Sequence, residues 1–451
     1  MNSSIFKAYD IRGIYKEELN EDDAYKIGLA FAKFTKAKNV LVGEDGRASS
    51  PSLRKALIDG ISGAGANIVF AGQLTTPMFY FAVADTKNID AGIMVTASHN
   101  PAKYNGFKLV WGDARPIQPS EIIHLVENPK LQIPSSKQIP NYKKISVADK
   151  YLKKLFSLID VKKIKPMKIA IDAGNGMAGN ILPQLLRRLP QIKAVPLFFD
   201  IDMTFPNHEA NPLKEETLKD LKKSVLKNQA ALGVAYDGDA DRIGFVDEKG
   251  QSVRADLAFA ALFPALLDQY PKSKILYDLR CSKIVPEEAA RLGGKSGMTR
   301  VGHAFIKKQL QKEKAIAAAE LSSHFYFKDF FDVECSDLVL LYLLLEISRQ
   351  NKPLSKIIAP LQKYYQSGEI NFEVKNKDGV ISELLKKYKK QALSFTDLDG
   401  IRFEFKNGRE FWWFSVRASN TEHLLRLNME ANNKQLLKEK LSEISKLILT
   451  A

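Results

Sequence analysis

Apolar positions along the first part of the chain recur in two periods. Helical spacing runs through Glu21–Lys36 and through Pro51–Ala64, the second opening on a proline, where a missing N–H costs nothing. Short β-branched or apolar runs at Asn39–Gly43, Asn67–Phe70 and Gly92–Thr96 read as strands, and a further helix starts at Thr76. Strands alternating with helices predict an α/β unit. The alternation returns with strands at Lys168–Asp172, Ala194–Phe199 and Leu232–Ala235. It returns again from about Asp256, with strand Ile275–Tyr277, a helix from Gly302 and the small-residue strand Ala315–Ala319. From about Glu369 the character changes. Runs at Asn371–Val374, Ile401–Phe405, Phe411–Val416 and Leu424–Met429 precede a helix over Lys434–Leu449, which predicts an α+β unit. The polar, proline-punctuated stretch Asn128–Asn141 reads as a connection. The expectation is four domains, three α/β over residues 1–145, 146–252 and 253–366 and a smaller α+β domain over 367–451.

Each of the first three units carries an unusual loop at the end of a strand: Ala97-Ser98-His99, Asp237-Gly238-Asp239 and Glu320-Leu321-Ser322. Sites in open α/β sheets sit at the carboxyl ends of strands, so three similar units can present three loops to one cleft.

Composition narrows the function. The 451 residues are 45% apolar and 26% charged, a globular balance. The best candidate for a membrane span, Leu338–Ile347, is short of the roughly 18 residues needed and ends in a charged segment. Lys7 and Asp10 interrupt any signal-peptide core, so a cytoplasmic protein is expected, with no membrane partner. Cys281 and Cys335 are too few for a disulfide framework or zinc cluster and are expected to be buried thiols. The net charge of +15 invites a nucleic-acid reading, but the basic residues are dispersed and no recognition motif appears, so no nucleic-acid partner is expected. Lys386-Lys387-Tyr388-Lys389-Lys390 reads as a solvated helix face. A basic surface also suits phosphate esters.

In Asp237-Gly238-Asp239-Ala240-Asp241-Arg242, alternate carboxylates of an extended segment converge, and Gly238 lets the backbone turn tightly. Three close carboxylates need a cation, and hard oxygen ligands favour magnesium or calcium. Glu248 falls at the twelfth place of a calcium loop, but Arg242 stands where that loop needs glycine and strands flank it. Thr96-Ala97-Ser98-His99-Asn100-Pro101 lacks a nucleophile elbow. Beside an acidic metal loop it reads as a phosphoserine site, which needs cations nearby, with an exposed turn as the bland alternative. Arg417-Ala418-Ser419-Asn420-Thr421-Glu422 offers a guanidinium fork, hydroxyls, an amide and backbone N–H groups, a phosphate cradle to which Arg426 can add. Its alternative is a polar hairpin turn.

With Tyr9-Asp10-Ile11-Arg12-Gly13, Tyr104-Asn105-Gly106-Phe107-Lys108, Phe205-Pro206-Asn207-His208 and Val301-Gly302-His303, these motifs in this order resemble the α-D-phosphohexomutase superfamily, specifically its bacterial phosphomannomutase/phosphoglucomutase branch, over nearly the whole chain. The resemblance implies four domains around a central cleft and reversible interconversion of hexose 1-phosphate and 6-phosphate through phospho-Ser98 and a 1,6-bisphosphate. It implies that Ser98, Asp237, Asp239 and Asp241 ligate Mg2+, and that Arg12, Arg242 and Lys108 surround the transferring group. Lys108 and His99 become the proton-transfer candidates. Tyr9, Arg280, Gly302, His303, Glu320, Ser322 and His324 fall at the sugar, and Arg417, Ser419, Asn420, Thr421 and Arg426 at the phosphate that is not reacting. Glucose 1,6-bisphosphate is the implied activator, hexose phosphates the partners, and a monomer or weak dimer the expected state.

The chain departs from the family pattern at Ala319 and Ser323, where the sugar loop usually has glycines, and at Ala240 in the metal loop. It also departs at Arg280, where lysine is expected, and at His423 in place of proline. Losing the two sugar-loop glycines is expected to alter backbone freedom there. His124 reads as structural or surface, and His208 as part of a structural turn. A phosphoglucosamine mutase is the nearest rival. Tyr9-Asp10-Ile11-Arg12 and Asn420 argue against it, and retention of Ser98, the aspartates and Lys108 argues against a mere sugar-phosphate binding protein.

Overall fold

A computed structural model describes residues 2–128, 142–418 and 424–450. The connection expected at Asn128–Asn141 lies almost wholly outside the described residues.

The helices expected near Glu21, Pro51, Thr76 and Lys434 form where they were placed. Glu21–Thr35 is capped by Asn20, whose side chain accepts from the Asp23 N–H while Asp23 returns the bond, so the free amides of the first turn are satisfied. Ser50–Gly63 and Thr76–Asp85 follow, each with proline in its first turn. Ser336–Gln350, the long apolar run, is buried nearly all round as a core helix. Among the described residues no helix is long and apolar enough to cross a membrane. Cys281 and Cys335 are buried and unbridged.

The first three sheets share one plan. Parallel strands Asn39–Glu44, Asn67–Gln73, Ala91–Val95 and Tyr142–Lys144 are extended by antiparallel Tyr104–Trp111 and Ile11–Ile14. In the second, parallel Ile192–Leu197, Met167–Asp172 and Leu232–Tyr236 gain antiparallel Ile243–Asp247 and Ser252–Val253. In the third, parallel Lys295–Thr299, Lys274–Asp278 and Ala317–Ala319 gain antiparallel Phe325–Phe327 and Val333–Glu334. Each site loop therefore joins a parallel strand to its antiparallel neighbour. A strand after the acidic loop was expected, and Ile243–Asp247 is that strand. Tyr104–Trp111, which carries Asn, Gly and Lys in a buried strand, and the short Ile11–Ile14 were not read as strands. The last sheet is wholly antiparallel, in the order Tyr365–Glu373, Leu424–Ala431, Glu410–Ala418, Ile401–Asn407 and Ser394–Thr396, and is backed by helix Lys434–Thr450.

One continuous apolar core runs through the first three domains. Phe81, Tyr151 and Phe330, one from each, meet at 5.7–6.0 Å between ring centroids. The fourth domain has its own core and is tied to the third by polar contacts. Arg402, stacked 3.6 Å over Trp413, donates to the Leu279 carbonyl, and Lys283 N–H donates to Glu430 at 2.9 Å.

Candidate active site

The three hairpin loops and the fourth domain border a cavity of about 560 Å³, within the range of small-molecule sites. Fourteen of the residues singled out in the sequence line it: Tyr9, Arg12, Ser98, Lys108, Asp241, Arg242, Arg280, Gly302, His303, Glu320, Ser322, His324, Arg417 and Arg426. Asp237, Asp239 and His99 lie behind this lining. Ser419, Asn420 and Thr421 lie outside the described residues, as does His423.

Ser98 stands at the top of its loop with a left-handed φ of +50°, its N–H bonded to Thr96 Oγ1 at 3.0 Å. Its hydroxyl donates to Asp237 Oδ2 at 2.8 Å. Arg47, only 2% exposed, holds the loop from below. Its guanidinium donates to the carbonyls of Ser98, Asn100, Pro101 and Tyr104 at 2.7–3.0 Å while pairing with Asp45 at 3.2 Å. The sequence reading missed Arg47. The one available signal was a charged Glu44-Asp45-Gly46-Arg47 turn directly after a strand.

The aspartate loop is a tight turn, which corrects the extended geometry expected for it. Its left-handed residue is Ala240, at φ +60°, and not Gly238. The glycine is required for another reason: a Cβ on Gly238 would come within 2.4 Å of the Ser98 carbonyl, so it lets the two loops touch. The carboxylates still gather, with ligand oxygens of Asp237, Asp239 and Asp241 all within 4.8 Å of one another and all three buried. Asp239 sits at the start of helix Thr76–Asp85, accepting the Thr76 N–H at its backbone carbonyl (2.8 Å) and the Thr76 hydroxyl at Oδ2 (2.6 Å). Thr76, which the sequence marked only as the start of a helix, thus carries the first domain into the loop of the second. Ser336 Oγ braces the same loop from the third domain by donating to the Ala240 carbonyl at 2.5 Å.

Lys108 Nζ donates to Asp239 Oδ2 at 2.7 Å and Asp241 Oδ2 at 2.5 Å. Burial alone would lower its pKa, but the two carboxylates more than reverse this and hold the ammonium charged. Burial, and then Asp241 and Asp239, push the Asp237 carboxyl well above its ordinary value. Asp239 Oδ1 is buried with no hydrogen-bond donor among the described residues. Crowded, buried, all-oxygen and incompletely paired, this donor set fits a hard divalent cation such as magnesium. Glu248, the twelfth residue of the discarded calcium loop, instead accepts from the Ser355 N–H at 3.0 Å.

His99 Nδ1 lies 3.2 Å from Ser98 Oγ. Burial, with Arg242 and Arg12 nearby, pushes its imidazole down to about 2, so it stays neutral. Arg12 pairs with Asp10 at 2.7 Å and donates to Asn100 Oδ1 at 2.6 Å. His324 joins the Glu320 loop to the aspartate loop, 3.1 Å from Ser322 Oγ and 3.3 Å from both Glu320 Oε2 and Asp241 Oδ1. Burial opposes its protonation, but the carboxylates prevail and raise it to about 9. Glu320 also accepts the Gly302 N–H at 2.8 Å and the Tyr326 hydroxyl at 2.6 Å. His303 is held neutral by burial and by Lys307. Arg280 is locked to Asp278 at 2.7 Å. Tyr80 and Glu334 complete the floor and were not foreseen.

Comparison with known proteins agrees with this arrangement. The three alpha/beta/alpha domains of phosphoglucomutase/phosphomannomutase match residues 3–131, 149–250 and 255–364, and its C-terminal domain matches 369–447. The chain is 40% identical to a phosphomannomutase of Methanocaldococcus jannaschii over 98% of its own length and 97% of the relative's. It is 38% identical to one of Vibrio cholerae, over 98% of each. The crystal structure of a phosphoglucomutase/phosphomannomutase family protein from Burkholderia thailandensis superposes with a TM-score of 0.89 at 32% identity, covering 99% of this chain and 97% of that one. With all four domains matched in order and the acidic triad in place, the chain belongs to the phosphoglucomutase/phosphomannomutase family of isomerases.

Proposed function

We propose that the chain interconverts the 1- and 6-phosphates of glucose and mannose through a phosphorylated Ser98. The observation that carries this reading is the Ser98 hydroxyl, held 2.8 Å from a buried aspartate cluster at the same cavity as Glu320 and Arg417. A phosphoryl group on Ser98 Oγ passes to the free O6 or O1 of a hexose monophosphate. The bond from phosphorus to the serine oxygen breaks as the bond to the sugar oxygen forms, and the proton given up by the sugar hydroxyl is matched by the one that the departing serine oxygen gains. The resulting 1,6-bisphosphate turns end over end and returns its other phosphate to Ser98.

Such transfer asks mainly for alignment and charge neutralisation. Asp237, Asp239 and Asp241 would hold a magnesium ion, which when bound polarises the phosphate and steadies the departing oxygen. Arg12, Arg242 and the charged Lys108 surround the transferring group, and Lys108 is the proton donor for the freed serine oxygen. His99, held neutral with Nδ1 3.2 Å from Ser98 Oγ, is a weak base. Glu320 and Ser322 read the O3 and O4 hydroxyls, which exchange places approximately when the sugar turns. Recognition that ignores C2 accepts both glucose and mannose. Arg417, with Ser419, Asn420 and Thr421, holds the phosphate that is not reacting.

The test is a panel of the 1-phosphates of glucose, mannose and glucosamine, with Mg2+ and a trace of glucose 1,6-bisphosphate, read by 31P NMR. Glucose and mannose 1-phosphates are expected to convert, and Ser98→Ala to lower turnover by at least about 10⁴-fold. Turnover confined to glucosamine 1-phosphate would assign the chain to the amino-sugar branch, and none at all would leave a binding protein.

A further inference from the structure

The turn between strands Ser394–Thr396 and Ile401–Asn407 lies against the end of the strand that carries Arg417. Gly400 closes it at φ +74°, where a Cβ would come within 2.3 Å of the Val416 carbonyl and 2.9 Å of Arg417 Cα. Only glycine allows that approach, and it delivers Asp399 to the edge of the cleft. Asp399 Oδ2 lies 3.9 Å from Arg417 Nη1 and accepts the Val301 N–H at 3.1 Å. The Val301 carbonyl in turn accepts the Tyr9 hydroxyl at 3.0 Å. The next residue, Gly302, gives its N–H to Glu320. A short backbone segment of the third domain is thus gripped by the first domain through Tyr9 and by the fourth through Asp399.

We propose that Asp399 is a positioning residue that latches the fourth domain onto the Val301–Gly302 segment, and so sets Arg417 over the cleft at the distance the substrate requires. This inference rests on the reading of Arg417 as the arginine of the non-reacting phosphate. At 3.9 Å the carboxylate steadies the guanidinium without capping it, which leaves the fork open to a dianion. The carboxylate therefore does two separable things. Its oxygen accepts the Val301 N–H, and its charge tempers Arg417. The latch depends on the first, because one hydrogen bond spans the domain boundary while the ion pair stays within the fourth domain.

Asp399→Asn keeps an acceptor oxygen and drops the charge, whereas Asp399→Ala drops both. Asp399→Ala is expected to raise KM for glucose 1-phosphate (or mannose 1-phosphate, if the panel favours it) about tenfold, with kcat within about threefold, because binding shared by ground and transition states is what is lost. Asp399→Asn is expected to return KM to within about threefold of the parent. In the same proteins without substrate, amide hydrogen exchange of the peptide bearing Val301 should accelerate in Asp399→Ala and stay near parental in Asp399→Asn. Parental KM and exchange in Asp399→Ala would overturn the latch, as would an Asn variant as impaired as the Ala variant. If the parent converts no hexose phosphate, the proposed function fails, and the exchange experiment still decides the contact.

Discussion

Ser323 holds a left-handed φ of +66°, while Ala319, the other place where the sugar loop lacks a family glycine, pairs regularly with Phe325 and Tyr277 in a strand. The two departures, alike in sequence, are physically different. Ala319 needs no special backbone freedom, but Ser323 bears the cost of a Cβ in the left-handed region, about 1–2 kcal/mol. Glycine would relieve that cost while losing about 0.5–1 kcal/mol to the greater freedom of its unfolded chain. Ser323→Gly is therefore expected to raise stability by about 0.5 kcal/mol, with kcat/KM unchanged. Urea titration beside the parent checks it, and a loss of stability would mean that the serine side chain does more than fill space. The expectation of altered backbone freedom thus holds at one position and not at the other. Only φ separates them, and φ is not visible in residue type.

At the scale of elements, each site loop is the turn of a hairpin in a mixed sheet, so one architecture is used for three chemistries. The Phe205-Pro206-Asn207-His208 segment braces a different turn, the one that leads from strand Met167–Asp172 into helix Ala178–Arg187. Asn207 donates to Asn175 at 2.7 Å, and His208 Nε2 lies 3.0 Å from Asp172 Oδ2 at the end of strand Met167–Asp172. The hydrogen bond to Asp172 raises the His208 pKa against the opposing effect of burial. A folded value above the unfolded value of about 6.5 means that the protonated form favours the folded state. That contribution is fully present below the unfolded value and is lost as pH rises through the folded one. His208→Gln is thus expected to cost more stability at pH 5.5 than at pH 9. Equal losses at the two pH values would show that the imidazole acts only by its shape.

Across the whole molecule, the metal loop belongs to the second domain but is shaped by the first and third. Thr76 and Lys108 reach it from the first, and Ser336 from the third. A hydrogen bond to a charged partner contributes about 1.5–3 kcal/mol. Thr76→Val is therefore expected to raise the Mg2+ concentration giving half-maximal thermal stabilisation by about tenfold. An unchanged titration would show that the helix N-terminus and Lys108 suffice to orient Asp239. The fourth domain stands apart, with a separate core and polar contacts to the third, and its ties are correspondingly easier to break one at a time.

What the sequence determined by itself was local. Apolar runs and helical spacing placed strands such as Asn39–Glu44, Ala91–Val95 and Leu232–Tyr236 and helices such as Glu21–Thr35 and Lys434–Thr450 to within a residue or two, while the parallel strands Tyr142–Lys144 and Lys295–Thr299 were not read from the sequence. The residue types around Ser98, Asp237 and Glu320 marked the loops that gather at the cavity, because phosphate and cations demand particular atoms wherever they bind. The tertiary structure decided what depends on approach between distant segments. Thr76 meets Asp239 across 163 positions, Asp399 meets Val301 across 98, and Arg47 reaches the Ser98 carbonyl across 51. A threonine at a helix start, an aspartate before a glycine and an arginine after a strand are ordinary residues in sequence. They become parts of a site only when burial removes water and leaves one partner within reach for each polar atom.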